Sequence, residues 1–379
     1  MQIKQNMAYA MMERNMSGTG TATKWKSPLH QMTQTTRTVL WNDSAAIDEL
    51  TYSMEHGCVG ATCNPVIVLD VLKKSMEVWK PEIKKLVEQM PSATEDQIAW
   101  KVVDLLSIKA AALLKPEFDK HKGRNGRLSV QTDPRYWRSK DALVEQAEHF
   151  HGLAPNIIVK IPATAVGIEA MEEATYRGVS INATVSFTLP QALAVAEAIE
   201  RGLKRREKEG KPISEMGPVC TIMVGRLDDW MRTVTAKQGL IVDPGILEWA
   251  GVAVFKKAYG IFRQRGYRLR LLSAAFRNHM HWSEFIGGDV VISPPCSWQK
   301  RINASDVTCE NRMDKPVEPR ILDALIKHYP DFVRAYSEDG LTPDEMTTYG
   351  STVATLRQFL NAGAELNAVI RDIMIPAAN

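Results

Sequence analysis

Short apolar runs rich in Val, Ile and Thr alternate along this chain with longer stretches whose apolar residues recur every three to four positions. The first pattern predicts strands and the second helices. Val39 to Asp43 reads as a strand, and Ser44 as the cap of a helix carrying Ile47, Leu50 and Met54, which Gly57 ends. Val59 to Thr62 is a second strand, stopped at Asn64-Pro65 because the residue before a proline is held extended. A long helical excursion opens at Ser92 or Thr94, with Ile98, Val102, Leu105 and Leu106 on one face. Leu128 to Asp133 is a third strand, 140–151 a helix, and the stretch Asn156 to Thr164 holds a fourth strand. Beyond it come a helix over 167–174, a fifth strand from Val179 to Phe187, a helix over 189–209 and a sixth strand from Pro218 to Val224. A helix over 244–264, a seventh strand from Leu269 to Ala275 and an eighth from Asp289 to Ile292 complete the alternation.

Eight short strands separated by helices imply parallel pairing, since parallel neighbours need crossovers. The expected fold is α/β, a (β/α)8 TIM barrel over residues 37–379 with a C-terminal helical addition, preceded by an extension over 1–36. An open doubly wound sheet is the alternative, but no GxGxxG or Walker-type loop follows the first strand. In the extension, five methionines precede the run Ser17-Gly18-Thr19-Gly20-Thr21, which reads as a mobile lead-in. Near the other end, Thr342-Pro343-Asp344-Glu345 is a helix start. Val353, Leu356, Leu360 and Ala364 form a stripe expected to pack on the barrel, over its mouth.

One strand carries a residue that strands of this kind avoid. Lys160 sits in Ile157-Ile158-Val159-Lys160-Ile161, where burying an unpaired ammonium is costly and desolvation lowers its pKa. A lysine held partly neutral forms Schiff bases with carbonyls; one at a strand end also snorkels to solvent. The other strands decide between these readings. Their ends deliver Asp43, Asn64, Gln131, Asn182, Thr184, Arg226 and Arg277, and strand ends converge at one mouth of a barrel. Stability alone gives no reason to bury so many polar groups at matching places.

The set supports one chemistry. Lys160 attacks a ketone and forms an iminium, an electron sink that lets a C–C bond one carbon away break. Asp43 is the candidate acid/base for the departing hydroxyl, with a helix N-terminal carboxylate as its plainer role. Gln131 and Thr184 are placed to hold a water, and Asn64 and Asn182 to bind hydroxyls. Arg226 and Arg277 suit a phosphate, although each is also the kind of residue found in surface ion pairs. Neither metal nor cofactor is called for: HExxH is absent, and His149-Phe150-His151 and His279-Met280-His281 read as surface pairs.

Composition changes this picture little. Of 379 residues, 47 are Lys or Arg and 44 Asp or Glu, so the net charge of +3 gives no argument for nucleic acid or membrane as a partner. The odd number of cysteines, five, without metal-type spacing, fits reduced thiols and a cytoplasmic setting. Exposed C-terminal helices would suit a homodimer.

Five motifs in order resemble transaldolases, the Schiff-base branch of class I aldolases. They are Asp43-Ser44-Ala45-Ala46-Ile47, Gly60-Ala61-Thr62-Cys63-Asn64-Pro65, Val159-Lys160-Ile161-Pro162-Ala163-Thr164, Asn182-Ala183-Thr184-Val185, and Arg270 through Asn278. The resemblance implies transfer of a dihydroxyacetone unit between sugar phosphates, with Lys160 as the Schiff-base residue and Asp43 as the acid/base. It makes Asn64, Asn182 and Thr184 polar site residues and Arg226 and Arg277 the phosphate arginines. Three positions depart from the pattern. Gln131 replaces a glutamate and matches the related fructose 6-phosphate aldolases; Met223 stands where those aldolases have a tyrosine; Ala275 replaces a serine that helps hold phosphate. A lyase using the same intermediate, or a non-catalytic sugar-phosphate-binding barrel, are the alternatives.

Overall fold

The computed structural model describes residues 24–377. Eight parallel strands close in sequence order: β1 Val39–Asn42, β2 Cys58–Cys63, β3 Arg127–Gln131, β4 Ile157–Pro162, β5 Ile181–Thr184, β6 Val219–Ile222, β7 Arg270–Ala274 and β8 Val291–Ser293. The expected (β/α)8 barrel is the fold. The Met-rich part of the predicted extension lies outside the described residues. Its last part forms a helix, Pro28–Thr35, whose N-terminus is capped by the Ser27 hydroxyl.

Pleat alternation sorts the strand residues into outward and inward sets. An apolar cluster of Trp41, Ile158, Val219, Leu272, Ala274 and Val291 is separate from the main core beneath the helices. Trp41 is wholly buried, and a Cβ at Gly60 would stand 2.4 Å from its ring, so only glycine fits at that position of β2. Two residues on from Trp41 and Gly60 are Asp43 and Thr62, so the same alternation brings polar groups in above the indole. The register pairs Gln131 with Lys160, Lys160 with Asn182, and Pro162 with Thr184.

The opposite end is closed by arginine. Arg127 on β3 donates to the carbonyls of Gly123 and Glu215, and Arg270 on β7 to the Arg124 carbonyl (2.6 Å) and Asn125 Oδ1 (3.1 Å). Both are buried, and burial with their mutual repulsion lowers Arg127 to about 10; burial, with Arg124 nearby, does the same to Arg270.

Several boundaries differ from the sequence reading. Ser44 does not cap the helix Ile47–Glu55: Asn42 Nδ2 grips the Ser44 carbonyl, and the hydroxyl accepts from Ala46 N instead. β5 ends at Thr184 rather than Phe187 because Val185 turns to φ 50°. β6 ends at Ile222, and Val224 already begins a helix, Val224–Gln238. The helix over 244–264 is two, Pro244–Leu247 and Ala250–Arg265.

Thr342 does open a helix with a full capping box, but only Pro343–Thr348. Tyr349 is extended, and the stripe belongs to a second helix, Gly350–Met374, which begins where Gly350 packs against the Trp230 ring. That helix buries Thr352, Thr355, Leu356, Phe359, Leu366 and Ile370, while Val353 and Ala364 face solvent. It is moored through Asn367 to Asp96 (3.0 Å), Arg371 to Glu95 and Glu365 to Lys73.

Candidate active site

Lys160 is 5% exposed. Desolvation lowers its pKa from the ordinary lysine value; Asp43 and Cys63 oppose that shift and Arg226 adds to it. These three groups therefore share the amine's surroundings, as an inward-pointing lysine near the C-terminal mouth requires. Asp43 does not spend its charge on the lysine alone. Thr62, buried one strand over, donates its hydroxyl to Asp43 Oδ1 at 2.5 Å. Cys63 follows, and burial pushes its thiol up to about 12, so it remains a neutral wall of the site.

Gln131 and Thr184 flank the lysine from the neighbouring strands. Gln131 Oε1 and Thr184 Oγ1 are both buried, and neither has a hydrogen-bond partner among the described residues. Orphaned buried acceptors call for a water or a ligand group. Asn182 is differently placed. Its Nδ2 donates to Ser129 Oγ (2.9 Å) and its Oδ1 accepts from Thr221 (2.8 Å), so it is tied into a belt of side chains across β3, β5 and β6. Half of its hydrogen-bonding capacity remains for a ligand. Asn64 Oδ1 caps the helix Pro65–Lys74 by accepting from Ile67 N (3.0 Å), which leaves the amide protons free.

The two arginines lie close enough to repel. Arg226, in the first turn of Val224–Gln238, is lowered in pKa by burial and then by Arg277. Its guanidinium sits 5.7 Å from the Phe359 ring centroid, and its Nε is buried without a partner. Arg277 is exposed and paired with Asp229 (2.8 Å), so the surface-pair reading holds for it alongside any ligand role. Its backbone is held firmly: Arg277 N donates to His281 Nδ1 (3.1 Å), and His281 Nε2 meets Asp228 Oδ2 at 2.9 Å. His281 is fully buried, which corrects its reading as a surface residue. With Nδ1 accepting, the neutral ring carries its proton on Nε2 and donates it to Asp228.

Backbone strain clusters at the same mouth. Val185 (φ 50°) follows β5 directly and Ala275 (φ 63°) follows β7, both in a region that non-glycine residues enter at a cost. A Cβ at Gly225 would strike the Ala275 carbonyl at 1.9 Å, which fixes glycine before Arg226.

Thr62, Thr221, Ser129, Asp228 and Phe359 are site residues that the sequence reading passed over. The pleat could have given the first three, each inward-facing and one or two positions from a residue already singled out. Phe359 comes from the far end of the chain, with no local signal. Two clefts leave the mouth and share Asn64: one is lined by Asp43, Lys74, Arg226 and Phe359, the other by Cys63, Gln131, Trp100 and Leu360. Among the described residues no group of three or more His, Cys, Asp or Glu is arranged to hold a metal, and no helix is long and apolar enough to cross a membrane.

A sequence profile described as Transaldolase/Fructose-6-phosphate aldolase matches residues 40–367. The chain belongs to that family. Transaldolase 1 of Streptomyces avermitilis is 30% identical over 209 residues, 54% of this chain and 54% of its own length. The transaldolase of Thiobacillus denitrificans is 29% identical over 224 residues, 58% of this chain and 62% of its own length. That of Thermobifida fusca is 30% identical over 177 residues, 46% of this chain and 47% of its own length. The chain thus spans about half the length of the curated relatives it matches. The family match covers all eight strands and most of the C-terminal helix, which is the part of the chain that builds the mouth.

Proposed function

We propose that this protein is a transaldolase-type transferase that moves a dihydroxyacetone unit between sugar phosphates through a Schiff base on Lys160. The observation that carries the reading is a buried amine, depressed in pKa by desolvation, in the same chamber as a carboxylate. The amine adds to the ketose carbonyl and loses water to give an iminium. Asp43 takes the proton of the hydroxyl on the next carbon but one from the carbonyl. The bond joining that hydroxyl-bearing carbon to the carbon next to the iminium breaks, its electrons flow to the iminium, and an aldehyde departs, leaving an enamine on Lys160. An acceptor aldehyde reverses the sequence, and water frees the product. A water between Gln131 and Thr184 would use both orphaned acceptors and relay protons to the nitrogen. Asn182 and Asn64 bind hydroxyls of the three-carbon unit. Arg226 and Arg277 hold the phosphate. These site roles also suit a cytoplasmic enzyme with neither metal nor cofactor, and the outer surfaces of the C-terminal helices would suit a homodimer.

Borohydride reduction in the presence of fructose 6-phosphate should leave a single adduct on Lys160, seen by peptide mass spectrometry, and Lys160→Ala should remove it. Binding without an adduct would mean a non-catalytic barrel. One feature favours a lyase as the second reading: Gln131 places a neutral carboxamide, with its oxygen unpartnered, beside the lysine where a carboxylate would be a stronger base. Release of free dihydroxyacetone without any acceptor aldehyde decides for the lyase.

A further inference from the structure

The face of the barrel opposite the mouth holds a charged cavity of its own. It measures about 420 Å³, within the range of small-ligand sites, and lies where the chain enters three neighbouring strands. Arg37 precedes β1, Arg268 precedes β7, whose first residue is Arg270, and Asp289 precedes β8. Arg124, from the loop before β3, and Arg263, on the helix Ala250–Arg265, bring the guanidiniums in its wall to five. Three of these are spent. Arg124 pairs with Asp289 (2.7 Å), Arg263 with Asp314 (3.3 Å), and Arg268 with Glu200 (2.9 Å) and Glu207 (2.7 Å). The other two have no carboxylate partner among the described residues. Arg37 is exposed and makes neither ion pair nor hydrogen bond with them. Arg270 is 8% exposed and donates only to neutral oxygens, the Arg124 carbonyl (2.6 Å) and Asn125 Oδ1 (3.1 Å). Its Nη1 is buried with no partner among the described residues. A buried cation without a counter-charge is costly, and Asp289, which attracts Arg270, is already claimed by Arg124. A bound anion would remove that cost.

We propose that this cavity binds a phosphate dianion, as the free ion or as the head of a small ester, between Arg37 and Arg270 at the end of the barrel remote from Lys160. Two guanidiniums without carboxylates match its two charges, and their forked donors match its oxygens. Tyr259 adds a donor. Its oxygen accepts from Asp289 N (3.2 Å), which leaves the phenolic proton uncommitted among the described residues. Phe262 and Tyr267, whose rings meet edge to face at 5.1 Å, offer the carbon body of an ester an apolar wall. The length of the barrel separates this anion from the mouth, so it binds alongside the substrate and not in its place.

The test is calorimetric titration of the full-length Arg277→Ala protein, a change that weakens the grip of the mouth on phosphate and leaves the far cavity intact. Inorganic phosphate and glycerol 3-phosphate are the probes; neither has a carbonyl to engage Lys160. One site per chain is expected. Adding Arg37→Ala should weaken binding about tenfold or more, the loss of one hydrogen bond to a charged group. Arg37→Lys, which keeps the charge, should restore part of it. The arginine lends the fold no hydrogen bond among the described residues, so these variants should fold, and circular dichroism checks that they do. Tighter binding of the ester supports the site and assigns the aromatic wall to its carbon body; equal or tighter binding of inorganic phosphate supports it and names the free ion. No binding of either probe to the Arg277→Ala protein overturns the proposal. So does binding that Arg37→Ala leaves unchanged, because the anion then lies elsewhere.

Discussion

Replacing Lys160 by methionine should abolish activity and make the protein more stable. Methionine keeps the unbranched chain but removes the amine, so β4 would present an unbroken apolar face to the barrel interior. Burial is the largest influence on the amine, and Asp43 is already bonded to Thr62. A buried polar group without full compensation costs about 1–3 kcal/mol, and that is the expected gain. With an unfolding entropy of about 2.1 cal/mol/K per residue, a chain of 379 residues converts this to a rise in Tm of roughly 1–4 °C. Thermal unfolding followed by circular dichroism measures it. The pH dependence tests the cause. The folded lysine loses its proton at lower pH than the unfolded one, so between the lowered folded pKa and the ordinary 10.5 the unfolded chain binds more protons. Stability of the wild-type protein therefore rises with pH across that window, while Lys160→Met lacks the term. The difference in Tm should be largest at neutral pH and shrink towards pH 10. A variant less stable than wild type at pH 7, or a difference that does not change with pH, would refute the argument that the amine is held there at a cost.

Thr62→Val removes the hydroxyl that orients Asp43 and should lower kcat about 10- to 100-fold with little change in KM, the range expected for a hydrogen bond to a charged group of about 1.5–3 kcal/mol; steady-state kinetics decide it. Gln131→Glu supplies a base beside Lys160 and should raise the proportion of transferred product over free dihydroxyacetone, measured in one assay with acceptor present. His281→Phe removes one of the two buried donors to Asp228, leaving only Gly251 N, and frees the Arg277 amide. Urea unfolding should show a loss of about 1.5–3 kcal/mol, the range for a hydrogen bond to a charged group, and KM for a phosphorylated donor should rise more than kcat falls.

Most of the barrel was legible because the strands are short apolar runs, several of them rich in β-branched residues and ended by Pro or Asn, and because period-2 alternation needs no knowledge of partners. Lys160 and Asp43 stood out for the same reason: each breaks a local apolar rule. The helix Val224–Gln238 was missed because Val224 continues the apolar run of β6, and only the close approach of Gly225 to the Ala275 carbonyl, just past the end of β7, shows the chain turning. His281 was misread because its partner Asp228 lies 53 residues away. The C-terminal stripe was half right: Leu356 is buried, but Val353 and Ala364 face solvent, because the residues that bury include Thr352 and Thr355, which periodicity counts as polar. Thr352 lies near Gln191 Nε2 (3.5 Å), and Thr355 accepts from Arg226 (3.4 Å), contacts that exist only once the helix is docked.

The arginines at the far end of the barrel bear on whether its two halves are separable. Arg127 belongs to the first four strands and reaches the loop before β6; Arg270 belongs to the last four and reaches the loop before β3. Each half thus lends the other a guanidinium and borrows its carbonyl oxygens in return. Cut the chain between β4 and β5, and both fragments inherit a stranded cation and a set of unclaimed acceptors. Neither is a self-sufficient module, so two such pieces would regain a fold only by finding each other.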